Sequence, residues 1–392
     1  MRGHLRKRGN AWELRAYAGV DPVTKRGKYI TRTFRGGKRD AEEALARFVT
    51  EVSGGGHAAQ DTTVGDLVHE WLELAKPDLS PTTARGYDWM TKTYILPSLE
   101  NVPLARLKTA QLDRLYAKLR ETGGQDGNAL SAATVRQVHA ILRRALQQGV
   151  RWGWISTNPA SAASAPKVRS QHLDPPKPAD VIRLVEAAKQ EDPDFGCYLL
   201  LAATTGARRG ELCGLQWRDL DLEGQTMTIS RAVVEGAHSE LVAKGTKTHS
   251  SRRIAVDSRT AEVLGEQRQR CVQRSQACGV RLPATAYVFS ADPNGRRPWA
   301  PNDVTKVFIR VRKTIGLDDV RLHDLRHFAA TRMLAAGVSV RTVSGRLGHA
   351  NAATTLGVYA HFVEESDRDA ADKLGALLDE AGTAGSSRRG KR

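Results

Sequence analysis

The segment Thr157–Pro178, TNPASAASAPKVRSQHLDPPKP, sets the first limit on the fold. Pro, Ala and Ser dominate it, no apolar periodicity runs through it, and each proline removes a backbone donor. Neither a sheet nor a helix bundle can continue across such a stretch, so the chain must build separate cores on its two sides. A second break is SGGGH, Ser53–His57, a flexible linker by composition. The 392 residues, at about 100–200 per domain, fit two or three domains. The expected division is 1–55, 60–165 and 166–380, followed by a polar, basic and disordered tail over 381–392, ending in SSRRGKR.

Local patterns give each part a class. WELRAYAG (Trp12–Gly19) and KYITRTFRG (Lys28–Gly36) have strand character, with the turn-forming VDPVTKRG between them, and LRKR before them adds a third strand. Asp40 opens a helix through about Val52. Residues 60–165 read as four amphipathic helices: Val64–Ala75, a segment after Ser80 and Pro81, Thr109–Thr122, and Ser131–Ile155. Ser80 can cap and Pro81 suits the first helical position. In the last part DVIRLVEAAKQ and FGCYLLLAATTG are helical, TMTISRAVV and SSRRIAV are strands with the turn KGTKTH between them, and further helices follow. The fold class is therefore mainly α with small β-sheets (α+β).

Composition narrows the function. The net charge of +17 and a pI near 10 call for a polyanion partner, above all nucleic acid. Residues 1–55 alone carry 13 basic and 6 acidic side chains, interleaved with aromatics on the strands, as suits a small sheet entering a DNA groove. No apolar run reaches the ~18–20 residues that span a bilayer. The charged start MRGHLRKRGN has no apolar segment behind it, so a soluble, cytoplasmic protein is expected. Four cysteines without a CxxC pair argue against a disulfide framework.

The chemistry concentrates in four segments. LHDLRHF places His323 and His327 four residues apart on one helix face, with Arg326 beside them. That pattern suits either a metal site or a grip on phosphate. A hydrolytic zinc site of this kind places Glu after the first His and needs a third ligand, whereas Asp324 is one methylene shorter. A cluster of cations beside a metal dication is also unfavourable, while the same cluster suits a phosphodiester. The second segment, TTGARRGELCGLQWRDLD (Thr204–Asp221), ends one helix at a glycine and starts the next near Arg208, where backbone N–H groups and a guanidinium fork both favour phosphate. The third, AKGTKTHSSRRI (Ala243–Ile254), carries Lys244 and Lys247. The fourth, GRLGHANAATTLGVYAHF (Gly345–Phe362), places His349 ten residues before Tyr359.

Taken in order, an Arg in TGxR…EL, a Lys in a β-hairpin, HxxR, LGH and a following Tyr resemble the tyrosine recombinases, the phage integrase family. The resemblance covers nearly the whole chain. It implies a basic N-terminal arm-binding-like sheet-plus-helix domain, a helical core-binding (SAM-like) domain and a mixed, mostly helical catalytic domain. It implies that Arg208 and Arg326 clamp the scissile phosphate and that Tyr359 is the nucleophile. His323 then accepts a proton or bonds the phosphate, and His349 bonds a non-bridging oxygen. A lysine acts as general acid: Lys247 fits the frame KTHSSRR, with Lys244 as the alternative. Glu211 and Asp324 read as structural, and His327 and His361 as packing or neighbour contacts. No cofactor or metal is expected. The implied partners are double-stranded DNA with core and arm sequences, a homo-tetramer on that DNA, a DNA-bending host factor and an excisionase. The segment Ser366–Leu378 is expected to dock on a neighbour. Two other activities share this chemistry or fold: a type IB topoisomerase and a non-catalytic DNA-binding protein.

Overall fold

The structure, a computed structural model, describes residues 3–20, 27–53, 62–124, 126–168, 174–236, 240–245, 251–349, 372 and 374–376. The chain divides into two compact units, Met1–Ser170 and Gln171–Arg392. The fold is mostly helical with small antiparallel sheets.

The first unit begins with three antiparallel strands, β1 (Gly3–Arg8), β2 (Ala11–Val20) and β3 (Gly27–Phe34), in the order β1-β2-β3. Gly9, at φ 58°, takes the left-handed turn between β1 and β2. The register pairs Leu5 with Leu14 and Ala16 with Ile30. Period-two alternation therefore gathers these apolar side chains on one face. Helix α1 (Lys38–Ser53) covers that face with Phe48, Leu45 and Val49. The opposite face carries His4, Arg6, Arg15, Tyr17 and Tyr29.

A separate apolar core joins four further helical segments. Helix α2 (Val64–Ala75) starts at a capping box in which Thr63 and Asp66 satisfy each other's backbone N–H. Helix α3 (Pro81–Met90) has Ser80 as its cap and Pro81 at its first turn. The helical segment expected after Ser80 and Pro81 is interrupted: the chain widens into a π-turn over Thr91–Ile95 before α4 (Leu96–Leu99). Pro97 is the physical cause, since it has no N–H to give the preceding turn. Helix α5 (Thr109–Thr122) and the long α6 (Ala132–Arg151) complete the group, with Val135, Val138, Ile141, Leu142 and Leu146 of α6 at its centre. Helix α6 stops at Arg151, four residues short of the expected Ile155, where Gly153 at φ 73° reverses the chain.

The second unit opens with α7 (Pro178–Glu191) and α8 (Pro193–Thr205). Helix α8 is buried on nearly every side, which is why its sequence shows little amphipathic periodicity. Helix α9 (Arg209–Cys213) follows, then β4 (Leu220–Asp221), β5 (Thr226–Ile229), β6 (Arg231–Glu235), β7 (Leu241–Gly245) and β8 (Arg252–Ala255). TMTISRAVV, expected as one strand, is two: β5 lies between β4 and β8, while β6 pairs, among the described residues, only with β7. The run divides because its two halves hydrogen-bond different partners. Helices α10 (Ser258–Ala277), α11 (Pro301–Thr314), α12 (Asp324–Ala335) and α13 (Val340–Leu347) close the unit around Phe195, Tyr198, Phe289 and Phe308. A small satellite core of Ala330, Leu334, Val343 and Leu347 locks α12 to α13. Among the described residues no helix is long and apolar enough to cross a membrane.

Candidate active site

Four helix ends meet in the second unit. Helix α8 ends at Gly206, whose φ of 64° is the left-handed cap that a glycine adopts without strain. A Cβ there would meet Leu347 Cδ2 at 2.5 Å, so the close approach of α13 also demands glycine. Two residues later Arg208 caps the start of α9 with extended backbone. Helix α13 ends at Gly348, again left-handed at φ 69°, and His349 follows directly. His323 stands at the N-terminus of α12, with Arg326 one turn inside it.

The two arginines are held from several directions. Arg208 Nη1 donates to Glu211 Oε1 at 2.9 Å and its Nη2 to the Gly348 carbonyl at 3.2 Å. Its backbone N–H donates to Glu211 Oε2 at 2.8 Å. Arg326 is only 4% exposed, unusual for a cation; Nη1 donates to the Gly206 carbonyl at 2.6 Å and Nη2 to the Leu347 carbonyl at 2.8 Å. Each arginine thus closes a helix C-terminus whose last carbonyls lack helical partners. Each also reaches the short stretch 347–348, so Arg208, Arg326 and His349 are tied together through one turn.

Glu211 is buried, and burial alone raises a carboxyl. Arg252 and Arg208 outweigh it and hold Glu211 below the usual carboxylate range. Arg252 supplies the larger share: Nη1 and Nη2 donate to the two Glu211 oxygens at 3.1 and 2.6 Å. Asp324 accepts from the Arg321 N–H at 2.8 Å and from its guanidinium at 3.0 and 3.2 Å, which fixes the start of α12.

The histidines are kept neutral. Burial is the main cause that pushes His349 down to about 4, aided by Arg326, Arg208 and Arg252. His323 is also pushed down to about 4, first by its crowded surroundings and then by His327 and Arg326. It keeps an open edge to solvent, which screens part of that effect. His327 is lowered too, chiefly by burial, and its ring packs edge-on against His323 with centroids 4.8 Å apart. A cavity of about 370 Å³ opens beside His323 and Arg326, floored by Tyr198 and Leu212 and rimmed by Arg209, Thr305 and Arg321. Among the described residues no three His, Cys, Asp or Glu side chains converge as a metal site.

Of the six residues singled out in the sequence, the structure brings Arg208, His323, Arg326 and His349 together. Lys247 and Tyr359 lie outside the described residues, as does His361. The alternative lysine, Lys244, is half-buried on strand β7 opposite Ala232, within the ladder rather than in a turn. One residue escaped the sequence reading: Arg252, 11% exposed at its side chain, which touches both Glu211 and the last turn of α13. The only signal for it was strand alternation, which puts Arg252 on the same face as buried Ile254 while Arg253 faces out.

Comparison with known proteins bears on the family and the fold. Residues 177–365 match the phage integrase family, and residues 63–120 match the phage integrase N-terminal SAM-like domain. A tyrosine recombinase XerC-like protein of Caldanaerobacter subterraneus subsp. tengcongensis is 26% identical over 374 residues, spanning 90% of this chain and 93% of the relative. Among solved structures, the Tn1549 transposon integrase in complex with transposon right end DNA superposes with a TM-score of 0.67 at 20% identity, covering 80% of this chain and 100% of that one. A lambda integrase tetramer bound to a Holliday junction gives 0.54 at 20% identity, over 90% and 94% of the two chains. At such identities the structural likeness is one of fold, while the family match carries the class. The chain belongs to the phage integrase family, and it is a tyrosine-type site-specific DNA recombinase.

Proposed function

We propose that this recombinase integrates and excises its mobile element by metal-free transfer of a DNA phosphodiester to Tyr359. The observation that carries the reading is the convergence of Arg208 and Arg326 on the turn that leads into His349. Two fixed guanidinium groups hold the non-bridging oxygens of the scissile phosphate and stabilise the charge of its pentavalent transition state. The Tyr359 oxygen attacks phosphorus, the bond to the 5′-oxygen breaks, and a 3′-phosphotyrosyl linkage forms. His323, neutral near pH 7, takes the phenol proton. His349, also neutral, donates a hydrogen bond to a non-bridging oxygen. Lys247 gives its proton to the departing 5′-oxygen. A 5′-hydroxyl from a second duplex reverses the sequence, so strands exchange without nucleotide loss or an external energy source.

The division into an arm-binding sheet over 1–55, a core-binding domain over 60–165 and a catalytic domain over 166–380 belongs to the same proposal. The open face of the N-terminal sheet supports it. Arg15 lies 4.3 Å from the Tyr29 ring centre, and Tyr29 is 51% exposed beside Tyr17. Such a cationic, aromatic face suits a DNA groove. The proposal extends to a homo-tetramer on two duplexes, the state in which the similarly folded lambda integrase is bound to a Holliday junction. The Ser366–Leu378 segment, which lies outside the described residues except at 372 and 374–376, is proposed to link neighbours in it. The enzyme acts in the cytoplasm on the element's attachment sites, with a DNA-bending host factor and an excisionase setting direction.

The test is a nicked suicide duplex carrying the element's own end sequences, incubated with a metal chelator and resolved on denaturing gels. Wild type forms a covalent protein–DNA adduct and Tyr359→Phe forms none. Adduct persisting in Tyr359→Phe, or no adduct on DNA that wild type demonstrably binds, overturns the reading.

A further inference from the structure

We infer that Arg252 is a positioning residue for cleavage, which sets the aim of Arg208 through their shared partner Glu211. This rests on the proposed role of Arg208 at the scissile phosphate.

Each of the three guanidinium nitrogens of Arg252 donates a hydrogen bond inside the protein. Both terminal nitrogens engage Glu211, at 3.1 and 2.6 Å, and Nε donates to the Arg346 carbonyl at 2.9 Å. Glu211 in turn accepts from the Arg208 guanidinium and from the Arg208 backbone. One carboxylate, 4% exposed, therefore stands between two arginines that differ in exposure. The side chain of Arg208 is 35% exposed, that of Arg252 only 11%. Arg208 is the outward cation and Arg252 the inward one.

The geometry explains why a bare Glu211–Arg208 pair is insufficient. Those two residues lie three apart on one short helix, and a carboxylate free to rotate could satisfy Arg208 in several ways. Arg252 arrives from a different element, β8, and locks both carboxylate oxygens in plane. Its Nε contact fixes the same turn that receives Arg208 Nη2 at the Gly348 carbonyl. Gly348 is pressed so closely that a Cβ there would lie 2.8 Å from Arg252 Nη1. Arg208 is thus aimed at both ends by groups that Arg252 holds. In the chain Arg252 also follows Lys247, the proposed general acid, by five residues.

The experiment measures single-turnover adduct formation on the suicide duplex, DNA affinity by anisotropy and unfolding temperature. The proteins are wild type, Tyr359→Phe, Arg252→Gln, Arg252→Lys, Arg208→Ala and Arg208→Ala/Arg252→Gln. Arg252→Gln is expected to slow adduct formation about 100-fold, the scale of a misplacement near 1 Å, with DNA affinity changed less than about 3-fold. Arg252→Lys, which keeps the charge but reaches fewer partners, should fall between it and wild type. In the Arg208→Ala background the Arg252→Gln change should cost no more than about 2-fold further, because the residue acts through Arg208. Wild-type rates in Arg252→Gln, or a full 100-fold added loss in the double variant, overturn the inference while leaving the reading of the site intact. Loss of rate only in step with loss of affinity or folding also overturns it. No Tyr359-dependent adduct in wild type removes the reading itself and this inference with it.

Discussion

The clamp of the second unit and the sheet of the first are both rich in arginine, yet they hold it in opposite ways. Arg326 is nearly sealed, and its guanidinium donates to backbone carbonyls at two helix ends. Arg6 and Arg15 stand exposed on an open strand face, and Arg15 rests over the Tyr29 ring. A buried, multiply bonded cation has one orientation, which suits stabilising one transition state. An exposed cation on an aromatic platform has many, which suits following the phosphates of a duplex with no single geometry. The contrast separates cations that act by position from cations that act by number.

Three changes test it, beginning with the largest. Arg326→Lys keeps the charge but can satisfy only one of two carbonyls. If position is what counts, adduct formation should fall about 10²–10³-fold at saturating DNA. An activity near wild type would show that charge alone suffices in the clamp. The second change is pH. His349 and His323 are pushed down to about 4 from an ordinary value near 6.5, so the unfolded chain binds protons that the folded chain refuses. Stability should therefore be level above pH 7, decline as pH falls from about 6.5 to 4, and contribute no further slope below that. Each imidazole should contribute less than about 1.4 kcal/mol per pH unit, since both keep contact with solvent. Unfolding temperature against pH checks this, and His349→Gln should flatten the decline. Glu211, held below the carboxylate range, adds its own loss only at lower pH still. The smallest effect belongs to the sheet. Arg6→Gln and Arg15→Gln should each lower the salt slope of DNA binding by about one, without changing the adduct rate once DNA saturates. A rate effect at saturation would erase the distinction between the two regions.

Much of this was legible in the sequence where local rules decide. Helices α2 and α5 fall on the residues that the apolar spacing marks, and α3 starts at the Ser80–Pro81 signal. The glycine stop before Arg208 is also local chemistry, and Gly206 carries it out. What failed was non-local. TMTISRAVV has uniform strand character, and only its pairing partners reveal that β5 and β6 belong to different sheets. Arg252 and Arg253 are identical side by side, yet one is locked to Glu211 and the other reaches Thr226 and Asp221 at the surface. No property of either residue taken alone separates them. The π-turn before α4 needed the combined effect of Pro97 and a helix that still has to reach the core with Tyr94 and Ile95.

The glycine caps at 206 and 348 have a further consequence. Arg326 sits on the carbonyl of the residue capping α8 and on the last residue of α13, and Arg208 on the cap of α13. Those are the negative poles of two helix dipoles. Before any DNA arrives, the helix-end carbonyls offset part of the repulsion between the arginines. An incoming phosphate then completes a charge balance that the protein has half made, and the fold supplies the reorganisation free energy in advance.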